Sequence, residues 1–258
     1  VALTEAGAVL AREASEAFQR LQRAVRSAEQ AAAGEAGEIM LAYSAQAAHG
    51  PMAEIVVQFR SAFPNARVSL YLMSSQEQLE AFETGTIDVG FLLSAACKRP
   101  LRHLVVARER FVVLVSKHDP LAARPSIALA ELAQTPFVMG TPKRWLTFRS
   151  LIHSACLQSG FLPTVVEEAD DVPVLLQLVS LRRGVTLYGA AIRSALPPDV
   201  TAIPLRDEHA TFDISLAWNA MQDAPLVRRF IAFTRRFCEA GIEGRAADNT
   251  ADRSDISS

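Results

Sequence analysis

The sequence predicts an α/β fold: two strand–helix repeats behind one long helix. Three observations predict it. The first 33 residues hold no proline and ten or more alanines, the strongest helix former. From Glu38, apolar runs of strand length alternate with amphipathic segments and short turns. The same alternation restarts at Phe111. Half of the 258 residues are hydrophobic, enough for a sizeable core in one or two domains.

Thr4 can cap the first helix, with Glu5 in its positive first turn. Leu10, Ala14, Ala17, Leu21, Ala24, Ala28 and Ala31 recur at alternating spacings of four and three, a heptad seam that Phe18 and Val25 widen. An apolar stripe with no neighbouring helix in sequence needs a surface to cover it. A second copy of the chain is the expected partner, against a helix lying on its own domain. Residues 1–33 are therefore read as a dimerisation helix. Ala33-Gly34-Glu35-Ala36-Gly37 is expected to end it and to act as a hinge.

In the first repeat, Ile39–Tyr43 reads as a strand. A helix of Met52, Ile55, Val56 and Phe59 starts near Gly50-Pro51, and Phe63-Pro64-Asn65 breaks it. Val68–Met73 alternates as a strand, Gln76–Glu83 as a helix, and Gly85 turns the chain into the strand Ile87–Leu93. Such a βαβαβ order with short loops predicts a mainly parallel sheet. In the second repeat, Phe111–Val115, Pro136–Met139, Thr164–Glu168 and Val185–Tyr188 read as strands. Leu129–Leu132, Phe148–Ser159 and Val172–Arg182 read as helices. Phe212–Trp218 is then a strand and Pro225–Phe237 an amphipathic helix. Residues 242–258 have little apolar content and are expected to form a disordered tail.

Several functions are disfavoured. Lys and Arg total 26 against 28 Asp and Glu, a net charge of −2, without the basic surplus of a nucleic-acid binder. Cys97, Cys156 and Cys238 are scattered, and the five histidines lack metal-ligand spacing, so neither metal nor disulfide framework is expected. No GxGxxG or GxSxG motif is present, so neither a cofactor nor an enzyme is expected. Glu167-Glu168 and Asp170-Asp171 are read as a solvated strand end. There is no apolar run of membrane-spanning length and no signal-like start, so no membrane partner is expected and the chain is placed in the cytoplasm.

Leu3-Thr4-Glu5-Ala6-Gly7 opening a long helix resembles the junction after the winged helix-turn-helix of LysR-type transcriptional regulators. Val57–Pro64 with its Phe-Pro turn, Gly85-Thr86-Ile87-Asp88-Val89-Gly90-Phe91, His118-Asp119-Pro120-Leu121 and Arg183-Gly184-Val185 match later signatures of that family in order and spacing. Leu70–Met73 with Gln76–Phe82, and Arg108-Glu109-Arg110, are similar to regulators of aromatic-compound catabolism.

The resemblance implies a periplasmic-binding-protein-like effector domain of two Rossmann-like subdomains joined by two crossover strands, near 107–112 and 205–213. It implies subdomain I at 38–108 and 212–241, and subdomain II at 109–211. The partners it implies are a small-molecule effector, expected to be an aromatic or dienoic carboxylate, and a second copy in a dimer or tetramer. DNA would be reached only through a helix-turn-helix, and the 258 residues here begin after that element's place. A free-standing solute-binding protein is the alternative.

In open α/β sheets, ligands sit at the carboxyl ends of strands against helix N-termini. Those loops are Ser44–Gly50, Ser74–Gln76 and Gly140–Phe148. Matching the family by position adds the ligand contacts Ala45, Gln46, Ser75, Thr147 and Phe148, with Ser44, Ser74 and Gln76 as neighbours. Gln46 is longer than the family's usual residue there. His49, Lys143 and Arg144 are further cations, and Trp145 adds apolar surface.

Overall fold

The structure, a computed structural model, describes residues 4–7, 10, 13–14, 18, 21–22, 25, 28–29, 32–221 and 224–254, with side chains described as far as 240. The described residues from 5 to 32 are helical. Next come β1 (Ala36–Tyr43), α1 (Met52–Ala62), β2 (Asn65–Leu72), α2 (Ser75–Glu83) and β3 (Val89–Leu93). A long β4 (Leu101–Ser116) leads into β5 (Pro136–Gly140), α3 (Pro142–Gln158), β6 (Thr164–Ala169), α4 (Val172–Ser180), β7 (Thr186–Gly189) and β8 (Val200–Pro204). β9 (Thr211–Asn219) and α5 (Pro225–Ser254) complete the described order.

The strands of one sheet run β2-β1-β3-β9-β4-β7, with β8 also on β4. β1 is parallel to β2 and β3, as the βαβαβ pattern requires. The expectation of a mainly parallel sheet fails beyond that point. β9 is antiparallel to both β3 and β4, and β4 is antiparallel to β7 and β8. The cause is that β4 and β9 run in opposite directions between the two halves of the molecule. β5 and β6 pair in parallel, and one bridge between Phe137 and Val185 ties them to the approach of β7.

β4 begins ten residues before the Phe111–Val115 run that the sequence marks as a strand. From Leu101 to Arg110 it pairs with β9 and alternates between half-buried and exposed positions. From Phe111 it is buried at every residue, and its partners become β7 and β8. β8 carries no strong sequence signal; its strand character comes from pairing with β4.

The glycine signatures have local causes. Gly90 lies where a Cβ would stand 2.3 Å from Gln78 Oε1. Gln78 is fully buried and donates to the carbonyls of Met73 and Phe91, which fixes α2 on the end of β3. Asp88 Oδ2 accepts from the Met40 N–H at 2.8 Å and so seals the start of the β1–β3 pair. Gly184 passes so close to β5 that a Cβ would lie 2.6 Å from the Pro136 carbonyl oxygen.

Two aromatic groups hold the halves. Phe230 of α5 is fully buried, with its ring centroid 4.9 Å from Phe59 and 6.5 Å from Phe91. At the crossover, Phe111 packs on Phe148 and Phe212, and Phe148 also meets Tyr188.

The Gly34–Gly37 stretch is not a free hinge. Gly34 has φ +72°, and a Cβ there would sit 2.7 Å from the Pro225 backbone. Arg229 donates to the Ala33 carbonyl at 2.7 Å, lies 3.6 Å from Glu35, and stands 5.1 Å above the Phe63 ring. Thr4 caps as expected, its Oγ1 accepting from Gly7 N–H at 3.1 Å. Of the heptad stripe, Leu10, Phe18, Leu21 and Val25 are 70, 60, 60 and 50 % exposed. Ala14 and Ala28 are exposed too, while Ala17, Ala24 and Ala31 lie outside the described residues. The described part of the stripe therefore does not lie on its own domain. The α5 backbone is helical to Ser254, which takes in most of the stretch expected to be an unstructured tail.

Phe230→Ala should cost about 3–5 kcal/mol, the range for truncating a buried aromatic ring. Urea unfolding measures it, and a loss below about 1 kcal/mol would contradict this packing.

Candidate functional site

Four strands end at one place. β1 ends at Tyr43 and β2 at Leu72, while β5 ends at Gly140 and β6 at Ala169. Between the two pairs lies a cavity of about 230 Å³. One wall is Tyr43, Ala45, Gln46, Ala48, His49, Leu72, Ser74, Ser75, Gln76 and Leu93. The other is Arg144–Phe148 and Asp170–Pro173.

Helix N-termini face this space, and their local chemistry differs. α2 is closed by a capping box: Ser74 Oγ accepts from Glu77 N–H at 3.2 Å, and Glu77 accepts from Ser74 N–H at 2.6 Å. Ser75 follows, 6 % exposed, its Oγ accepting from Leu93 N–H at 3.4 Å. That acceptor role leaves the Ser75 hydroxyl proton to donate elsewhere.

On the facing wall, Trp145 departs from helical geometry within α3, with φ −112° and ψ 17°. Its ring folds back over Gly140, where a Cβ would lie 2.0 Å from Cδ2. Its Nε1–H donates to the Asp170 carbonyl at 2.9 Å. Thr141 does not cap α3 but donates its hydroxyl to Asp170 Oδ1. Asp171 caps α4, its Oδ1 accepting from Val174 N–H at 2.8 Å.

Arg144 reaches across the cleft to Glu77 at 3.8 Å. The Glu77 carboxyl is held below its ordinary range, first by its backbone bond at Ser74 and also by the Arg144 and Lys143 charges. His49 stands edge-on to Tyr188, centroids 6.0 Å apart, and burial lowers its pKa. It is therefore neutral at pH 7. Among the described residues, no group of three or more His, Cys, Asp or Glu gathers as a metal site.

Ala45, Gln46, Ser74, Ser75, Thr147 and Phe148 come together as cavity lining, with Gln76, His49, Arg144 and Trp145. Ser44 does not line it. It is 1 % exposed, its N–H donates to the Phe91 carbonyl, and its Oγ accepts from Ala47 N–H to shape the turn. Lys143 is not among the lining residues either. Asp170 and Asp171 are exposed, as a solvated strand end requires, and they also stand at the cavity. Glu167 and Glu168 match that reading, paired with Arg183 and Arg149 at 2.8 Å each on the outer surface. Sequence reasoning missed Tyr43, Leu72 and Leu93, yet each is the last residue of its strand, so the carboxyl-end rule contained the signal.

Two outcomes are expected. Gly140→Ala should push Trp145 off its seat, costing about 1–3 kcal/mol as overpacking does and red-shifting the tryptophan emission. An unchanged spectrum and midpoint would contradict this seat. For His49, the folded state binds its proton less readily than the unfolded chain. Its stabilising share is thus present above the ordinary histidine pKa and is lost as pH falls below it. His49→Gln should flatten the stability loss between about pH 7 and pH 5. Identical pH profiles would show that His49 is not the group.

Residues 32–239 match the family model described as LysR substrate binding domain. The uncharacterised HTH-type regulator YnfL of Escherichia coli is 27% identical over 173 residues, 67% of this chain and 58% of that protein. AlsR of Bacillus subtilis is 26% identical over 194 residues, 75% of this chain and 64% of its own. BenM of Acinetobacter baylyi is 25% identical over 191 residues, 73% and 63%. The chain thus spans about three-fifths of the length of these relatives. Among solved structures, CbnR, a LysR family transcriptional regulator, gives a TM-score of 0.81 at 21% identity, covering 90% of this chain and 81% of that one. The BenM effector binding domain with benzoate gives 0.70 at 24%, covering 80% and 93%. The QuiR effector binding domain with shikimate gives 0.72 at 18%, covering 80% and 98%. At these identities the structural likeness is one of fold: two periplasmic-binding-protein-like subdomains.

Proposed function

We propose that this chain, which belongs to the LysR substrate-binding domain family, is the effector-sensing part of a bacterial transcriptional regulator. The observation that carries the reading is the cavity between two facing sets of strand ends, lined from both sides. A ligand there touches both halves, so its binding energy can favour one angle between them. A difference of about 1–3 kcal/mol between two such states is enough to regulate. We take subdomain I as 38–108 with 212–241 and subdomain II as 109–211.

The ligand class is a small aromatic or dienoic carboxylate. BenM's domain holds benzoate and QuiR's shikimate, both acids. Here the N-terminus of α2 with Ser75 and Gln76 offers hydrogen-bond donors to an acid group. Trp145 and Phe148 offer apolar faces to an unsaturated body. Phe148 packs on Phe111 and Phe212 of the crossover strands, which gives ligand contact a direct mechanical route to the hinge region.

The exposed stripe of Leu10, Phe18, Leu21 and Val25 is best covered by a second copy in a dimer or tetramer. DNA would be contacted through a helix-turn-helix outside this sequence, in the cytoplasm. No reaction is assigned to the chain. The solute-binding alternative gives that stripe no role.

Ser75→Leu should abolish calorimetric binding of a responsive acid, and Ser75→Ala should weaken it several-fold, with circular dichroism unchanged in both. Binding unchanged in both variants would move the site elsewhere. Deleting residues 1–33 should lower the oligomeric mass seen by light scattering at tens of micromolar, and an unchanged mass would assign assembly to other surfaces.

A further inference from the structure

We infer that the ligand carries, besides its acid group, an ammonium or similar hydrogen-bond donor, and that Asp170 and Gln46 receive it. The inference rests on the effector reading above and narrows its ligand class.

Two observations lead to it. The first is Gln46. Its side chain lines the cavity, is only 8 % exposed, and makes no capping bond to the short turn of helix that follows it. An amide presents two donor hydrogens and a carbonyl acceptor, and both kinds lose energy when a ligand covers them without pairing them. A ligand that only accepts, as a simple carboxylate does, satisfies the NH₂ and leaves Oε1 bare. A ligand that also donates satisfies both.

The second observation is the charge count on the facing wall. Among the described lining residues, Asp170 and Asp171 stand against one fixed cation, Arg144, which already lies 3.8 Å from Glu77. His49 adds no charge at pH 7 because burial holds it neutral. Asp171 is spent on capping α4 through Val174 N–H. Asp170 is different. Thr141 fixes its Oδ1 and Trp145 fixes its backbone carbonyl, so its position is set. Its side chain is otherwise exposed beside the cavity, so the carboxylate can accept from a ligand. A pure anion entering here meets two carboxylates, whereas a cationic or donating group meets a prepositioned acceptor.

The ligand class is thus a small unsaturated acid that also bears an amine. Its acid group lies at the start of α2, its planar body on Trp145 and Phe148, and its amine towards Asp170.

The test uses the full chain and calorimetry at low salt. The probes are the three positional isomers of (aminomethyl)benzoate and the matching toluates, which replace the ammonium-bearing arm by a methyl group. At least one aminomethyl isomer should bind about tenfold tighter than its toluate, the scale of one charge-assisted hydrogen bond. Asp170→Asn keeps the acceptor for Thr141 but removes the charge, and should collapse that ratio towards one. Thermal melting of the variant confirms that it is folded. Aminomethyl isomers no tighter than their toluates, or a ratio that survives Asp170→Asn, would overturn the inference and leave the carboxylate reading standing. Failure of every acid to bind would overturn both.

Discussion

β4 belongs to both halves of the molecule, and the rest of the structure depends on that continuity. Its first ten residues share a ladder with β9, and its last six are buried between β7 and β8. The strand therefore runs continuously across the junction, although its ladder with β9 slips by one residue between Val105 and Ala107, and no flexible linker is needed along it. The two sets of strand ends are held opposite each other by this shared ladder. With its polar groups paired along the strand, the junction can alter twist without exposing unsatisfied backbone. Phe111 and Phe212 sit at that point, and the cavity residue Phe148 packs against both.

The cleft has two chemically different walls. The wall at the ends of β1, β2 and β3 is almost without charge and mixes apolar residues with a helix start, the Ser75 hydroxyl and the Gln46 amide. The opposite wall combines Trp145 and Phe148 with carboxylates and one arginine. The Arg144–Glu77 pair is the electrostatic contact between them. Both its side chains are partly exposed, at 37 and 49 %, so it is a weak tie rather than a lock. A cleft held by such a contact can open and close at small cost, which is what a sensing domain requires.

Much of this was legible in the residues. The first βαβαβ unit follows from hydrophobic periodicity and turn residues, because β3 is buried throughout, β2 starts on an alternating pattern, and its helices are amphipathic. The 101–110 half of β4 was not legible, since it alternates exposed charged residues such as Arg102, Arg108 and Arg110 with half-buried ones. Its strand character comes from pairing with β9, more than a hundred residues away in sequence. The antiparallel crossovers were hidden for the same reason. At the site, the carboxyl-end rule finds the loops after strand ends, and the family resemblance picks contacts within them, Gln46 and Ser75 among those that line the cavity. Ser44 was misplaced because a serine that closes a turn and one that faces a cavity look alike in sequence. Asp170 was passed over because its role depends on Thr141 and Trp145, which only the fold brings to it.

The central claim is that one small acid touches both walls at once and draws them together. Hydrogen exchange read by mass spectrometry, with and without a bound acid of the aromatic class, tests it most directly. The account predicts simultaneous protection of the segments 43–49, 72–78 and 140–149, which lie on opposite walls and join no common element. Protection confined to one wall, or to surfaces away from the cleft, would contradict it.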